Sequence, residues 1–257
     1  MIMSKITACI IGFSYGEKVL LRSIKKISKI KIVGICYNKK RPKKNTYINE
    51  EIICSKNYKY LINKTKPNIV LIATPTRLQE SVIRFLIQKK IPFFCEKPLC
   101  TSYNEALKIR SLIYKNKVPM VIDYNFLSLN IFKFLKLYLS HNKNYHSYSL
   151  SWKFRSYKKN TKFKSWKHKN NLGGGTLNNY GSHLFSIIDY LFNDIVKLKS
   201  NIINNKKIIN ETCKINIIHK KNKKGKVSLI PSINDNRCFS LTINFKTYQL
   251  ELINNSI

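Results

Sequence analysis

The alternation of short apolar runs with amphipathic stretches through the first half of the chain restricts its fold more than any other feature. Runs at Ile6–Ile11, Ile30–Cys36, Ile69–Ala73, Ile91–Cys95 and Val118–Asp123 read as strands. Between them, Glu17–Ile27, Leu78–Lys89 and Tyr103–Asn116 carry helical patterns. Leu78, Val82, Phe85 and Leu86 fall on one face of the second of these, the spacing that a sheet-packed helix requires. Strands that alternate with helices predict a parallel sheet with right-handed crossovers, a doubly wound domain. The stretch from Tyr37 to Asn57 is expected to hold a loop and a short helix.

From about Tyr124 the rhythm changes. Ile131–Leu139 reads as a helix, Tyr145–Phe154 as a long strand, Lys158–Asn171 as a basic loop and Gly174–Phe192 as a second long helix. Alternating runs follow at Val196–Ile203, Cys213–Ile218, Lys226–Ile230, Cys238–Phe245 and Tyr248–Ile253, several of them separated by Asn, Gly and Pro. Successive strands joined by such turns predict an antiparallel sheet. The expected class is α/β. Residues 1–123 form the doubly wound domain, and residues 124–257 an α+β domain with a mostly antiparallel sheet.

Charge is the unusual part of the composition: 48 Lys+Arg against 12 Asp+Glu give +36 over 257 residues. Phosphate neutralisation by such residues drives nucleic-acid affinity. Here the lysines are dispersed along the whole chain among Asn and Ile, and arginines are few. A dedicated nucleic-acid site is more often a concentrated, arginine-bearing patch, so the lysines read as solvated surface and no nucleic-acid partner is expected. The seven cysteines include no C-x-x-C pair. That pattern fits a reducing compartment and neither a disulfide framework nor a metal site. The apolar stretch Ile6–Phe13 is too short to span a membrane and lacks a small-residue cleavage site. A cytoplasmic protein without a membrane partner is expected.

Glycine is scarce, only 8 in the chain, so its placement is informative. Gly12-Phe13-Ser14-Tyr15-Gly16-Glu17 follows the first strand, where backbone N–H groups at a helix start can cradle a pyrophosphate. It is a degraded G-x-G-x-x-G: Ser14 holds the second glycine position, and Glu17 at the third brings a negative charge towards the phosphates. After the second strand, an acid would bind the ribose of NAD, whereas basic residues suit the 2′-phosphate of NADP. Tyr37-Asn38-Lys39-Lys40-Arg41 has no acid, so of NAD or NADP the latter is favoured, with Asn38 and Lys39 as contacts. Thr74-Pro75 ends a strand that Pro75 cannot prolong, beside the expected nicotinamide ribose. Glu96-Lys97-Pro98 closes the run Ile91–Cys95 and sets an ionisable amine at the carboxyl edge of the sheet, where open α/β sheets bind ligands. Partial burial there lowers a lysine pKa towards neutrality and fits it to hold or protonate a substrate oxygen. The second glycine cluster, Gly173-Gly174-Gly175, precedes Asn179 and His183, four apart and so on one helix face. An imidazole with a neighbouring amide suits a proton acceptor and a substrate clamp.

Taken together, these stretches resemble the Gfo/Idh/MocA family (glucose–fructose oxidoreductase and inositol dehydrogenase-like proteins). The matching residues are the turn at Gly12, Ala73-Thr74-Pro75 with Gln79 following, Cys95-Glu96-Lys97-Pro98-Leu99, and Gly173-Gly174-Gly175 through His183, in the family's order. The resemblance implies a Rossmann domain, a nicotinamide cofactor, and a secondary alcohol or ketone of a sugar, cyclitol or nucleotide-linked sugar as substrate. It assigns Gly12, Phe13, Ser14, Tyr15, Asn38, Lys39, Thr74, Pro75, Glu96 and Lys97 to the cofactor. Lys97, His183 and Asn179 are expected to be catalytic, with His183 as the acid/base. The Lys97–Pro98 bond is expected to be cis. Phe126, Trp152 and Trp166 are expected to line the sugar site with Asn179, since flat apolar rings stack on sugar C–H faces.

Three departures stand out. Asn179 replaces a usual aspartate, Ser186 replaces another, and the chain ends at Ile257 where family members usually continue through further strands and a terminal helix. A shortened C-terminal domain is therefore expected, with its sheet as the surface for self-association. A rival reading is a dinucleotide-binding sensor or partner protein of the same fold without turnover.

Overall fold

A computed structural model describes residues 5–38, 48–158, 167, 173–204, 208–234 and 236–255. The chain divides into two compact units, Met1–Asp123 and Tyr124–Ile257.

In the first unit, β1 (Ile6–Ile11), β2 (Ile30–Cys36), β3 (Ile53–Ser55), β4 (Ile69–Ile72), β5 (Phe93–Glu96) and β6 (Met120–Asp123) form one sheet in the order β3-β2-β1-β4-β5-β6. Every pairing in it is parallel. This is the doubly wound order with its switch point between β1 and β4. Both faces are covered, which is why its strands read as continuous apolar runs rather than as alternation. Cys9, Ile11, Val70, Ile72 and Phe93 pack on one side with α2 (Tyr58–Thr65), α3 (Thr76–Gln88) and α4 (Tyr103–Asn116). Ala8, Ile10, Ile32 and Leu71 pack on the other with Leu20, Leu21 and Ile24 of α1, which is π-wound over Gly16–Leu21 and α-helical over Arg22–Ile24.

Local chemistry starts these helices. The Asn57 side chain accepts from the N–H groups of Lys59 and Tyr60 and caps α2, and the Ser102 hydroxyl accepts from the Glu105 N–H and caps α4. Both α2 and β3 are absent from the sequence reading. The segment expected as loop and short helix contributes an edge strand at Ile53–Ser55, and the helix begins only after it. Residues 39–47 and the expected basic loop, apart from Lys158 and Lys167, lie outside the described residues.

In the second unit, β7 (Ser147–Arg155), β8 (Ile195–Ile203), β9 (Thr212–His219), β10 (Lys224–Ser232), β11 (Cys238–Asn244) and β12 (Gln249–Asn254) form a sheet in the order β12-β11-β7-β10-β9-β8. It is antiparallel except for the β7–β10 pair. One face packs on α5 (Asn130–His141) and on α6, π-wound over Leu177–Gly181 and α-helical over Ser182–Phe192. The alternation Tyr148, Leu150, Trp152, Phe154 puts every second β7 side chain into that core. Gly225 is held by the same packing: a Cβ there would lie 2.4 Å from the Tyr148 ring.

Candidate active site

In the N-terminal unit the chemistry gathers at the carboxyl ends of the strands. Gly12 follows β1 with φ +98°, in the left-handed region that favours glycine, and a Cβ on it would lie 2.4 Å from the Ala73 carbonyl oxygen. The turns after β1 and β4 therefore touch backbone to backbone, with Thr74 N 2.9 Å from the same Cβ position. Gly16 serves helix packing instead. A Cβ there would meet Ile10 Cγ2 at 2.8 Å, so its absence lets α1 pack against β1. The third glycine of the dinucleotide fingerprint provides close helix–strand packing. Here that role moves one residue forward, which explains how Glu17 is tolerated at the usual place. Phe13 and Tyr15 are half-buried in this turn and Ser14 is exposed. Asn38 is exposed beyond β2, and Lys39 lies outside the described residues.

The Glu96-Lys97-Pro98 turn leaves β5 at the same edge, and the Lys97–Pro98 bond is cis. Gln79, 1% exposed on α3, donates through Nε2 to the Pro98 carbonyl at 2.7 Å and fixes the turn from beneath. Glu96 stands opposite Asp123 in the β5–β6 register. Burial, together with the hydrogen bond and negative charge of Asp123, pushes the Glu96 carboxyl up to about 8, while Lys97 and the Tyr15 hydroxyl pull the other way. Tyr15 is pushed up to about 12 by burial and by the charges of Glu96 and Asp123. Among the described residues, Glu96 Oε1 and Thr74 Oγ1 are buried without a hydrogen-bond partner.

In the C-terminal unit, Asn179 lies in the π-wound turn and His183 in the first α-helical turn; each is 7% exposed. π-turns inside helices recur at functional sites. The Asn179 amide donates to the Lys167 carbonyl at 2.6 Å. Aromatic rings surround the imidazole: Phe126 at 4.7 Å and Trp152 at 6.1 Å between centroids. Phe126 is half-buried, whereas Trp152 is 5% exposed and packs on Tyr180 and Phe239 as part of the core. Trp166 lies outside the described residues. The hydroxyl of Ser186 donates to the His183 carbonyl at 2.7 Å. Elsewhere on α6, Ser182, Phe185, Ser186 and Asp189 line a groove of about 400 Å³, and His183 is not among its lining residues.

Two family models match this chain in succession. Residues 6–124 match the oxidoreductase family's NAD-binding Rossmann fold, and residues 143–229 its C-terminal alpha/beta domain. The chain belongs to the Gfo/Idh/MocA oxidoreductase family. It is thereby an NAD(P)-dependent oxidoreductase, with NAD or NADP as its cofactor. Solved structures of the same fold include the WlbA dehydrogenase from Chromobacterium violaceum, in complex with NADH and UDP-GlcNAcA. It is 13% identical with TM-score 0.85, over 99% of this chain and 75% of that one. WlbA from Bordetella pertussis, also with NADH and UDP-GlcNAcA, is 14% identical with TM-score 0.84, over 97% of this chain and 80% of that one. Biliverdin reductase from Synechocystis, with biliverdin and NADP+, is 14% identical with TM-score 0.76, over 98% and 86%. At such identities the likeness shows the fold, on which these structures hold molecules as different as UDP-GlcNAcA and biliverdin. No curated protein matches the sequence.

The Gfo/Idh/MocA cofactor fits the residues present. The Gly12 turn, packed against the β4 turn with no room for a side chain, and the unsatisfied Thr74 hydroxyl leave backbone and hydroxyl groups at the switch point to cradle a dinucleotide. Two residues there escaped the sequence reading, Gly16 as a packing glycine and Asp123 as the partner of Glu96. A glycine one residue after Tyr15 was visible in the sequence. The Glu96–Asp123 pairing was not, because it depends on strand register.

Proposed function

We propose that this oxidoreductase transfers a hydride between NAD(P) and a secondary alcohol or ketone of a sugar, cyclitol or nucleotide-linked sugar. Residues 1–123 would hold the cofactor and residues 124–257 the substrate. Hydride exchange is the chemistry that the nicotinamide supplies when bound. The chain's own residues hold charge and move the proton. Lys97, on the turn that Gln79 ties down, sets a cation against the carbonyl oxygen and stabilises the negative charge that develops there. His183 takes or returns the hydroxyl proton, held in place by Phe126 and Trp152. Asn179 hydrogen-bonds a substrate hydroxyl, and Phe126 offers a ring to a sugar face. Gly12 to Tyr15, Thr74, Pro75 and Glu96 contact the cofactor.

The observation that carries this reading is the Glu96-Lys97-Pro98 turn, at the end of β5, at the same carboxyl edge as the Gly12 turn. Its test is steady-state kinetics with NAD+ and NADP+ against a panel of sugars, cyclitols and nucleotide-linked sugars. Lys97→Ala and His183→Ala should each lower kcat/KM by about 10²- to 10⁴-fold; unchanged values in both variants sink the assignment. Clearly tighter binding of NADH than of NADPH would remove the preference for NADP. The sequence reading of a reducing compartment accords with seven cysteines that are all free thiols. No helix among the described residues is long and apolar enough to cross a membrane. Self-association through the C-terminal sheet draws support from the exposed apolar residues Val196, Leu198 and Ile202 of β8, and light scattering measures it.

A second reading has a specific observation behind it. Asn179 supplies no carboxylate beside His183, and its amide is bonded to the Lys167 backbone. Dinucleotide binding without turnover across the whole panel would favour a sensor or partner protein.

A further inference from the structure

Beyond its place in the cofactor site, the Glu96–Asp123 pair has a consequence for which form of the cofactor this unit prefers. The inference rests on the reading that the dinucleotide lies along the carboxyl edge of the parallel sheet. That placement stands on the Gly12 cradle and the NAD-binding family match, independently of the two acids. In a sheet ordered β3-β2-β1-β4-β5-β6, the phosphates sit at the turn after β1 and the adenosine half lies towards β2. The nicotinamide half therefore lies towards β4, β5 and β6. Glu96 ends β5, Asp123 ends β6, and the two are register partners.

We propose that Asp123, paired with Glu96 at this edge, is a specificity-determining residue that biases the site towards the cationic, oxidised nicotinamide over the neutral, reduced one. The geometry is two half-buried carboxyls on register-partner residues at the ends of adjacent strands. Glu96 Oε1 is buried and meets no donor among the described residues, so a bond between the two acids requires that one of them keep a proton. The groups that face Glu96 from the surrounding elements are Tyr15 from the β1 turn, Asp123 from β6, and its chain neighbours Lys97 and Cys95. Burial and the charge of Glu96 raise the Cys95 thiol, and Tyr15 titrates only near 12, so both stay neutral at physiological pH. Lys97 opposes the acids with one positive charge. Glu96 thus keeps its proton below about pH 8 and adds a negative charge to the edge above it. An added negative charge at short range in a partly desolvated site favours a cationic ring over a neutral one.

The experiment is direct titration of NAD+ and NADH, and of NADP+ and NADPH, into the full chain at several pH values from about 6.5 to 9.5. The quantity read is the ratio Kd(reduced)/Kd(oxidised), in which pH effects on the shared phosphates and adenosine cancel. In the wild type this ratio should rise roughly tenfold across the range, with a midpoint near the Glu96 titration. Asp123→Asn removes one carboxyl and one of the causes that raise Glu96, while burial continues to raise it, so the ratio should lie lower across the range and its midpoint should move to lower pH. Glu96→Gln removes the titrating group and should give a flat line, and it stands in if Asp123→Asn does not fold. A flat wild-type ratio while both forms bind overturns the proposal and leaves the cofactor reading intact. A rise in Asp123→Asn of the same height and midpoint as the wild type, or a rise that persists in Glu96→Gln, also overturns it. If neither form of either couple binds, the cofactor reading fails and the proposal falls with it.

Discussion

At the scale of single residues, Gly12 and Glu96 decide most about the N-terminal unit. Gly12 combines a positive φ with a backbone oxygen 2.4 Å from where a Cβ would stand, and backbone yields less readily than a flexible side chain. Gly12→Ala should therefore destabilise the protein by on the order of 2–3 kcal/mol, from the φ penalty plus displacement of the β4 turn, and should weaken dinucleotide binding. Thermal melts and an NADH titration measure both; a melting temperature like that of the wild type contradicts the crowded turn. Glu96 predicts a pH effect whose sign follows from its raised pKa. Protonated Glu96 is favoured by the fold, so its contribution is complete below the ordinary value of 4.5 and is lost as pH rises through about 8. Because the group is partly exposed, the loss should not exceed about 2–3 kcal/mol. The midpoint of unfolding should fall between roughly pH 5 and pH 9, and Glu96→Gln should flatten that slope. A wild-type midpoint that climbs across this range contradicts the buried pair.

At the scale of elements, β8 and β10 make opposite predictions from similar-looking sequence. Both are nine-residue strands, but every residue of β8 is exposed, whereas β10 alternates buried residues with exposed or half-buried ones. β8 sits at the sheet edge, where one row of its backbone groups has no partner strand among the described residues. Leu198→Lys on β8 should stay within about 0.5 kcal/mol of wild type at protein concentrations low enough to keep the chain monomeric. Leu229→Ala, fully buried on β10, should cost about 2–5 kcal/mol. Denaturant melts compare them, and equal costs would contradict the edge assignment. Legibility also followed from element size. Thirteen-residue α3 and fourteen-residue α4 were readable from their apolar spacing. Three-residue β3 was not, nor was eight-residue α2, with only Leu61 and Ile62 buried. Short elements are held by the sheet they join, so they leave too few periodic positions to register. The π-wound turn at Asn179 was equally hidden: the four-residue spacing to His183 presumed an α pitch.

At the scale of the whole molecule, a formal charge of +36 works against the compact state through self-repulsion. The ion pairs Lys31–Glu51 at 2.9 Å and Lys220–Asp194 at 3.2 Å have exposed side chains, so screening them forfeits little. Repulsion among many dispersed lysines outweighs those pairs. Raising NaCl from about 20 to 500 mM should therefore raise the melting temperature by a few degrees, with excluded-salt controls to separate screening from surface exclusion. A melting temperature that falls with salt would mean that attractive pairs dominate.

Apart from β3 and α2, the order of strands and helices was readable from the chain alone, as were the two glycine turns and the Glu96-Lys97-Pro98 motif. They depend on residues close in sequence: periodicity, caps and turn chemistry act over a few positions. The backbone contact of Gly12 with Ala73, the packing of Gly16 on Ile10 and the meeting of Glu96 with Asp123 were decided only by the tertiary structure. Each depends on strand order and register, which set distances between residues far apart along the chain and which no local pattern encodes.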